Sequence, residues 1–181
     1  MLVVVPLAAL AMIVTALPVS AQGATTTSPA AITHLSAADL REFTDSLAAR
    51  AAREPGRQVP GRPLGRDSVL AMFLLRRDVS GRPELHEQVA DIFVVQAGRA
   101  VIVSGGRVEG AELMEPGEWN GGQIVSDTAR SGARPIVRQP AGPGDVVVIP
   151  AGVPHQVEVP RGESVTYLVL KVLRAGPIHS Q

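Results

Sequence analysis

The chain has 181 residues and is 45% apolar, which suits one domain plus a short extension and supplies enough apolar surface for a core. Its 17 basic and 17 acidic residues cancel, and Arg66, Arg76, Arg77 and Arg82 are interspersed with acids, which argues against a nucleic-acid partner, since phosphate neutralisation needs a clustered cationic excess. There is no cysteine, which excludes disulfides, thiolate metal sites, a cysteine nucleophile and a lipid-modified N-terminal cysteine.

Met1 to Leu17 is almost entirely apolar and is followed by Pro18-Val19-Ser20-Ala21. Val19 and Ala21 fit the small-residue rule for signal-peptide cleavage, so residues 1–21 are expected to be removed by a cut before Gln22. One feature departs from the pattern: the first charged side chain is Asp39, so only the α-amino group supplies positive charge. The alternative is an uncleaved anchor, but the run is short and Pro18 interrupts it. The expected location is periplasmic or secreted, with no membrane partner for the mature form.

Residues 22–66 read as a linker and one helix. QGATTTSPAAIT, residues 22–33, is small and polar. Ser36 then suits an N-cap with Asp39 three residues on, and Leu40, Phe43 and Leu47 form one apolar stripe. The helix is predicted to run to about Arg53 and stop at Pro55-Gly56, with its Ala-rich remainder solvated or lightly packed. Residues 57–66 look like a Gly-, Pro- and Arg-rich connection.

From residue 67 to 175 the texture changes. VLAMFLL, DIFVV, AVIV, PIVRQ, DVVVIP, HQVEV and VTYLVLKVL alternate with SGRP, AGR, SGG, GPG, AGVP and PRGE. Short β-branched runs between turns predict an all-β sandwich or barrel. The stretch 105–133 is long and Gly-rich and holds Trp119, a loop anchor or a substrate platform; it is either a functional loop or contains further strands.

Gly144-Asp145-Val146-Val147-Val148-Ile149-Pro150-Ala151-Gly152-Val153-Pro154-His155 reads as a turn, a buried strand over 146–149, a proline that ends it and a glycine turn that delivers His155 to the next strand. The spacing resembles the second motif of the cupin family, G-x5-P-x-G-x2-H-x3-N, with Val159 where the family has Asn. The first cupin motif, G-x5-H-x-H-x3,4-E-x6-G, is matched at its end by Asp91 to Gly98, with Asp91 replacing Glu. His86 then stands at the second histidine position and Glu84 at the first, and Asp78 stands where the opening glycine belongs.

The resemblance covers about residues 67–174. It implies a double-stranded β-helix, or jelly-roll cupin barrel, here with an N-terminal α-helix. It also implies a divalent-metal site on Glu84, His86, Asp91 and His155. Residues 84 and 86 share a strand face, Asp91 leads the next strand, and His155 is expected from the facing sheet. Two imidazoles and two carboxylates suit Fe, Mn, Ni or Zn, and two histidines with one carboxylate can form a facial triad; Glu84 is then a fourth ligand or an acid–base group. Gln88 is a weaker fourth-ligand candidate if its strand continues. Tyr167 and Lys171 share a face of the last strand, inward or outward, while His34 and His179 are expected in solvent.

Cupins include enzymes and binding proteins, so the resemblance leaves three readings open. One is a metal-dependent oxygenase or isomerase of a small molecule. The second is a non-catalytic module that binds a small ligand, and the third is a partner-binding jelly roll, expected as a homodimer.

Overall fold

The computed structural model describes residues 33–54, 61–66, 69–127 and 134–174. The expected signal peptide, most of the linker, the Pro55-Gly56 helix stop and His179 lie outside these residues.

Helix α1 spans Ala37–Arg53. Its start is the predicted capping box: the Ser36 hydroxyl accepts the Asp39 N–H at 3.1 Å, and the Asp39 carboxylate accepts the Ser36 N–H at 2.8 Å. Leu47 and Ala51 are buried against Leu74, with Phe43, Leu64 and Leu168 around them. The Ala-rich part is therefore more than a solvated face, because Ala51 lets the last turn approach the sheet closely.

The strands are β1 (Arg62–Arg66), β2 (Leu70–Arg77), β3 (Glu84–His86), β4 (Val89–Gly98) and β5 (Ala100–Ser104), then β6 (Arg107–Glu109), β7 (Glu112–Glu115), β8 (Glu118–Asn120) and β9 (Gln123–Val125), and finally β10 (Val137–Ala141), β11 (Val146–Ile149), β12 (His155–Glu158) and β13 (Val165–Leu173). One sheet has the order β1-β2-β13-β4-β11 and the other β10-β5-β12-β3-β8-β7, while β6 pairs with β9. The pairings are antiparallel. Phe93, Val95, Val165, Tyr167 and Val169 from the first sheet meet Ala100, Ile102, Ala141 and Val157 from the second in one core. This is the expected jelly roll with one helix, and α1 covers the outer face of the five-stranded sheet, where Leu74 points.

Three local readings change. Residues 62–66 form a strand, although they carry Pro63 and Gly65: β1 is an edge strand, its register shifts between those two residues, and an edge needs no second row of donors. β11 was expected to be buried, but it also ends a sheet, and Val146 and Val148 are 61% and 60% exposed while Ile149 is buried. The Gly-rich stretch from 105 resolves into β6 to β9, each too short for a periodic signal. Elsewhere the strands lie where the apolar runs placed them, with ends moved by up to three residues.

Gly98 turns the chain from β4 into β5 with φ +76°, and a Cβ there would stand 1.9 Å from the Ser164 carbonyl oxygen, so glycine is required. Leu47 is 1% exposed between helix and sheet. Leu47→Ala is expected to cost about 2–5 kcal/mol in urea unfolding of the full chain, as a buried leucine does; a cost below about 1 kcal/mol would mean that α1 is not docked.

Candidate metal centre

The inward face of each strand follows from period-two alternation around the apolar core. On β4 it carries Asp91, Phe93 and Val95, and on β13 Val165, Tyr167, Val169 and Lys171. On β2 it carries Phe73, Leu75 and Arg77. Charged residues at the inward positions of such strands are out of place unless they answer one another.

They do so as cross-strand neighbours. Lys171 stands opposite Asp91 in the β13–β4 pair, His155 opposite Glu84 in β12–β3, and His86 opposite Glu118 in β3–β8. His155 therefore comes from the same sheet as Glu84 and His86, correcting the expectation of the facing sheet; Asp91 is the residue that faces them. The reason is topological, since β12 inserts between β5 and β3. The turn before His155 is tied to the first motif directly: the Gly152 N–H, with Gly152 at φ +75°, donates to the His86 carbonyl at 2.7 Å.

Glu84, His86, Asp91 and His155 each aim one ligand atom at a common point, and these four atoms lie within 4.8 Å of one another. His86 Nε2 is 3.3 Å from both Glu84 Oε2 and Asp91 Oδ2, and His155 Nε2 is 3.2 Å from Asp91 Oδ2. Asp91 is 2% exposed, His155 3% and His86 7%. Gln88 is not part of the set: β3 ends at His86, and Gln88 lies exposed in the bend that follows.

The outer ring nitrogens set what the inner ones can do. His155 Nδ1 is 3.1 Å from the Val153 carbonyl oxygen, which only accepts, so Nδ1 carries a proton and Nε2 is turned toward the centre. His155 Nε2 forms no hydrogen bond, although it lies 3.2 Å from Asp91 Oδ2. His86 Nδ1 likewise pairs with the Glu118 carboxylate, which fixes the ring from behind as carboxylates do for metal-bound histidines.

The nearest positive charge is Lys171, whose Nζ is 2.7 Å from His86 Nε2 and 3.1 and 3.2 Å from the two Asp91 oxygens. On the other side Arg77 donates to Glu84 at 3.3 Å and to the Tyr167 hydroxyl at 2.8 Å. Burial opposes the charge on Asp91, yet the His155 and His86 rings and Lys171 hold its carboxyl well below the usual range. Glu84 is lowered too: burial opposes it, and His86, His155, Lys171 and Arg77 outweigh burial. Burial also works against protonation of His86, but hydrogen bonds to Asp91 and Glu84 prevail and raise its pKa to about 9. The Lys171 contact and the raised histidine express one fact: the surrounding carboxylates recruit positive charge.

Residues 84, 86, 91 and 155, which the two sequence motifs assign to one site, thus meet inside a double-sheet antiparallel barrel. A double-sheet antiparallel barrel is the form that the cupin resemblance of the two motifs implies. No family model matches the chain, and no curated protein matches it. Among solved structures the chain is similar to a cupin-2 domain protein from Shewanella frigidimarina, at 13% identity and TM-score 0.43, over 72% of this chain and 91% of that one. It is also similar to a hydroquinone 1,2-dioxygenase from a Sphingomonas species, at 9% identity and TM-score 0.47, over 67% and 70% of the two chains. A polyketide cyclase from Streptomyces resistomycificus matches at 20% identity and TM-score 0.43, over 70% and 74%. Likenesses at these values bear no weight on activity.

The site fits a divalent ion on two grounds. His155 Nε2 is a buried ring nitrogen with no hydrogen-bond partner, and coordination to a cation would satisfy it. The spacing also suits: ligands about 2.1 Å from a metal stand ~3.0–3.4 Å apart when adjacent and ~4.2 Å apart when opposite, so the cluster contracts by at most about 0.6 Å. A mixed nitrogen and oxygen set favours borderline metals over Ca or Mg.

Sequence reasoning left Glu118 and Arg77 unassigned and the direction of Lys171 open. Period-two counting from Asp91 and Tyr167 carries the signal for Lys171, and Arg77 continues the Phe73, Leu75 face; Glu118, which is 32 residues from His86, has none. Trp119 stands opposite Leu85 and its indole donates to Glu87 at 3.0 Å, so it serves as a surface anchor. His34 is exposed, as expected.

The raised His86 pKa predicts a pH profile for the metal-free protein. Relative to 6.5 for the unperturbed ring, a pKa of about 9 means the native state binds the extra proton between those values. The stabilisation is complete below 6.5 and is lost as pH rises through about 9. The urea midpoint of chelator-treated protein should fall from about pH 6 to about pH 10, and His86→Gln should flatten that fall. A midpoint that rises over this range would contradict the assignment.

Proposed function

We propose that the protein is an exported cupin that holds one divalent metal ion on Glu84, His86, Asp91 and His155 and acts on a small molecule at that ion. The observation that carries this reading is the convergence of four ligand atoms on one buried point, with His155 Nε2 left without any hydrogen bond.

The metal would supply Lewis-acid polarisation or oxygen activation. The chain's own residues do the rest. Val153 O and Glu118 hold the two imidazoles in the tautomer and angle that leave Nε2 free toward the centre. Asp91, the most deeply buried of the set, is a fixed negative ligand. Glu84, whose side chain is 25% exposed, borders a cavity of about 40 Å³ together with Tyr167 and Phe93. A space of that size admits a water molecule or so beside the ligands. The Tyr167 hydroxyl accepts from Arg77 at 2.8 Å, which leaves its own proton free for a group in that cavity. Burial raises the Tyr167 pKa and keeps that proton in place. Phe93 packs edge-on to His155 and against Tyr167, so the inner wall is apolar. Export rests on the N-terminal sequence alone.

Metal analysis tests the reading. Full-length protein offered Fe, Mn, Ni and Zn in turn should retain one of them at about one ion per chain. Glu118→Gln should weaken that binding by about 10–100-fold through the loss of ring orientation, and His155→Ala should weaken it further. Protein that retains none of the four metals would sink the proposal. A binding-only role shares the same site, and metal-dependent turnover of any compound would exclude it. For export, N-terminal sequencing of the protein recovered from its host is expected to begin at Gln22; an intact Met1 would contradict cleavage.

A further inference from the structure

Lys171 belongs to two spaces at once. Inward it borders the small cavity beside Glu84, Asp91 and His155. Outward it forms part of the floor of a groove of about 800 Å³, whose walls include Met72, Val89, Met114 and Leu173. Phe73 is the other residue common to both spaces. The groove has the size of a small-molecule site and is mostly apolar. Met114 and Leu173 are 63% and 46% exposed, more than a closed surface would leave.

The ammonium and a divalent ion exclude one another. Nζ is 2.7 Å from His86 Nε2 and 3.1 Å from Asp91 Oδ1, and both residues are proposed ligands. An ion held about 2.1 Å from the same ring nitrogen would stand at most ~4.8 Å from the ammonium, and two cations so close in a poorly solvated site repel. The Lys171 side chain is 26% exposed and flexible, and the groove is the space open to it.

Charge then decides what the groove takes. With both imidazoles neutral, as metal ligands are, the carboxylates of Glu84, Asp91 and Glu118 and the cations of Lys171 and Arg77 leave one negative charge to set against the ion. A divalent ion turns that into one positive charge in excess, and the displaced ammonium carries it to the groove floor. Arg66, Glu115 and Glu118 also line the groove; Arg66 offsets Glu115, and Glu118 is the carboxylate already counted at the centre, where it pairs with His86.

We propose that this groove is the substrate site, that Lys171 leaves the ligand cluster when the metal binds, and that its ammonium then anchors the one anionic group of a small molecule with an apolar body. The proposal rests on the metal reading above and adds to it the substrate class and the residue that selects it. Lys171 acts as a positioning and specificity residue, holding the anionic end next to the metal while Met72, Met114 and Leu173 cover the apolar end.

The test uses the full chain loaded with Mn²⁺, or with Co²⁺ if Mn²⁺ is not retained, and two probes, hexanoate and hexanol. Metal uptake is measured first. Hexanoate affinity and proton relaxation by the paramagnetic ion are measured next. Expected are saturable hexanoate binding, faster relaxation at the methylene beside the carboxylate than at the terminal methyl, and at least tenfold weaker binding of hexanol. Lys171→Met should keep or tighten metal binding and lose at least tenfold in hexanoate affinity. Met114→Glu, at the exposed rim and safe for folding, should keep the metal and weaken hexanoate several-fold. Equal hexanoate affinity in wild type and Lys171→Met, equal affinity for the two probes, or no effect of Met114→Glu would overturn the inference. Failure to take up either metal would overturn the metal reading and this inference together; uptake without Lys171-dependent hexanoate binding would overturn this inference alone.

Discussion

The carboxylate of Asp91 is carried into the core at 2% exposure, and the surrounding side chains are arranged to answer its charge. An ionised group so deeply buried is costly unless paired. Here it is met by Lys171 from the next strand of its own sheet and by two imidazoles from the opposite sheet. The pairing is incomplete, since His155 Nε2 stands beside the carboxylate without forming a hydrogen bond. That deficit of positive charge is the constraint from which the metal site, the raised His86 pKa and the inward reach of Lys171 all follow.

The fold supplies this convergence by simple means. Antiparallel pairing sets Lys171 opposite Asp91, Glu84 opposite His155 and Glu118 opposite His86, so each functional contact is a cross-strand neighbour. The hydrogen bond from Gly152 to the His86 carbonyl fixes the two motifs to each other through the backbone. The other inward positions hold Phe93, Val95, Val169 and their partners, which keep water away and strengthen each electrostatic contact. α1 stands outside this arrangement and covers the opposite face of the sheet.

Much of this was legible in the sequence because it is local. The turn that delivers His155 is written in Pro150, Gly152 and their spacing, and Glu84 and His86 share a face because they stand two apart. What was not legible depends on which strands become neighbours. Pairing of β12 with β3 put His155 on the sheet of Glu84 and His86, and no spacing rule foretells that. Glu118 sits on a three-residue strand in a Gly-rich stretch, too short to show alternation. The β11 valines read as a buried run, but the end of a sheet leaves alternate side chains in solvent. Pro63 argued against a strand, and only an edge position accommodates it.

The two histidines aim their Nε2 atoms at one point, and the ring ¹⁵N resonances report on them directly. In metal-free protein the account predicts that His155 carries its proton on Nδ1, bonded to the Val153 carbonyl, with Nε2 unprotonated. Addition of one equivalent of Zn²⁺ should shift Nε2 of both His155 and His86 and leave both Nδ1 protons in place. A His155 proton on Nε2, or Nε2 resonances that Zn²⁺ does not move, would contradict it.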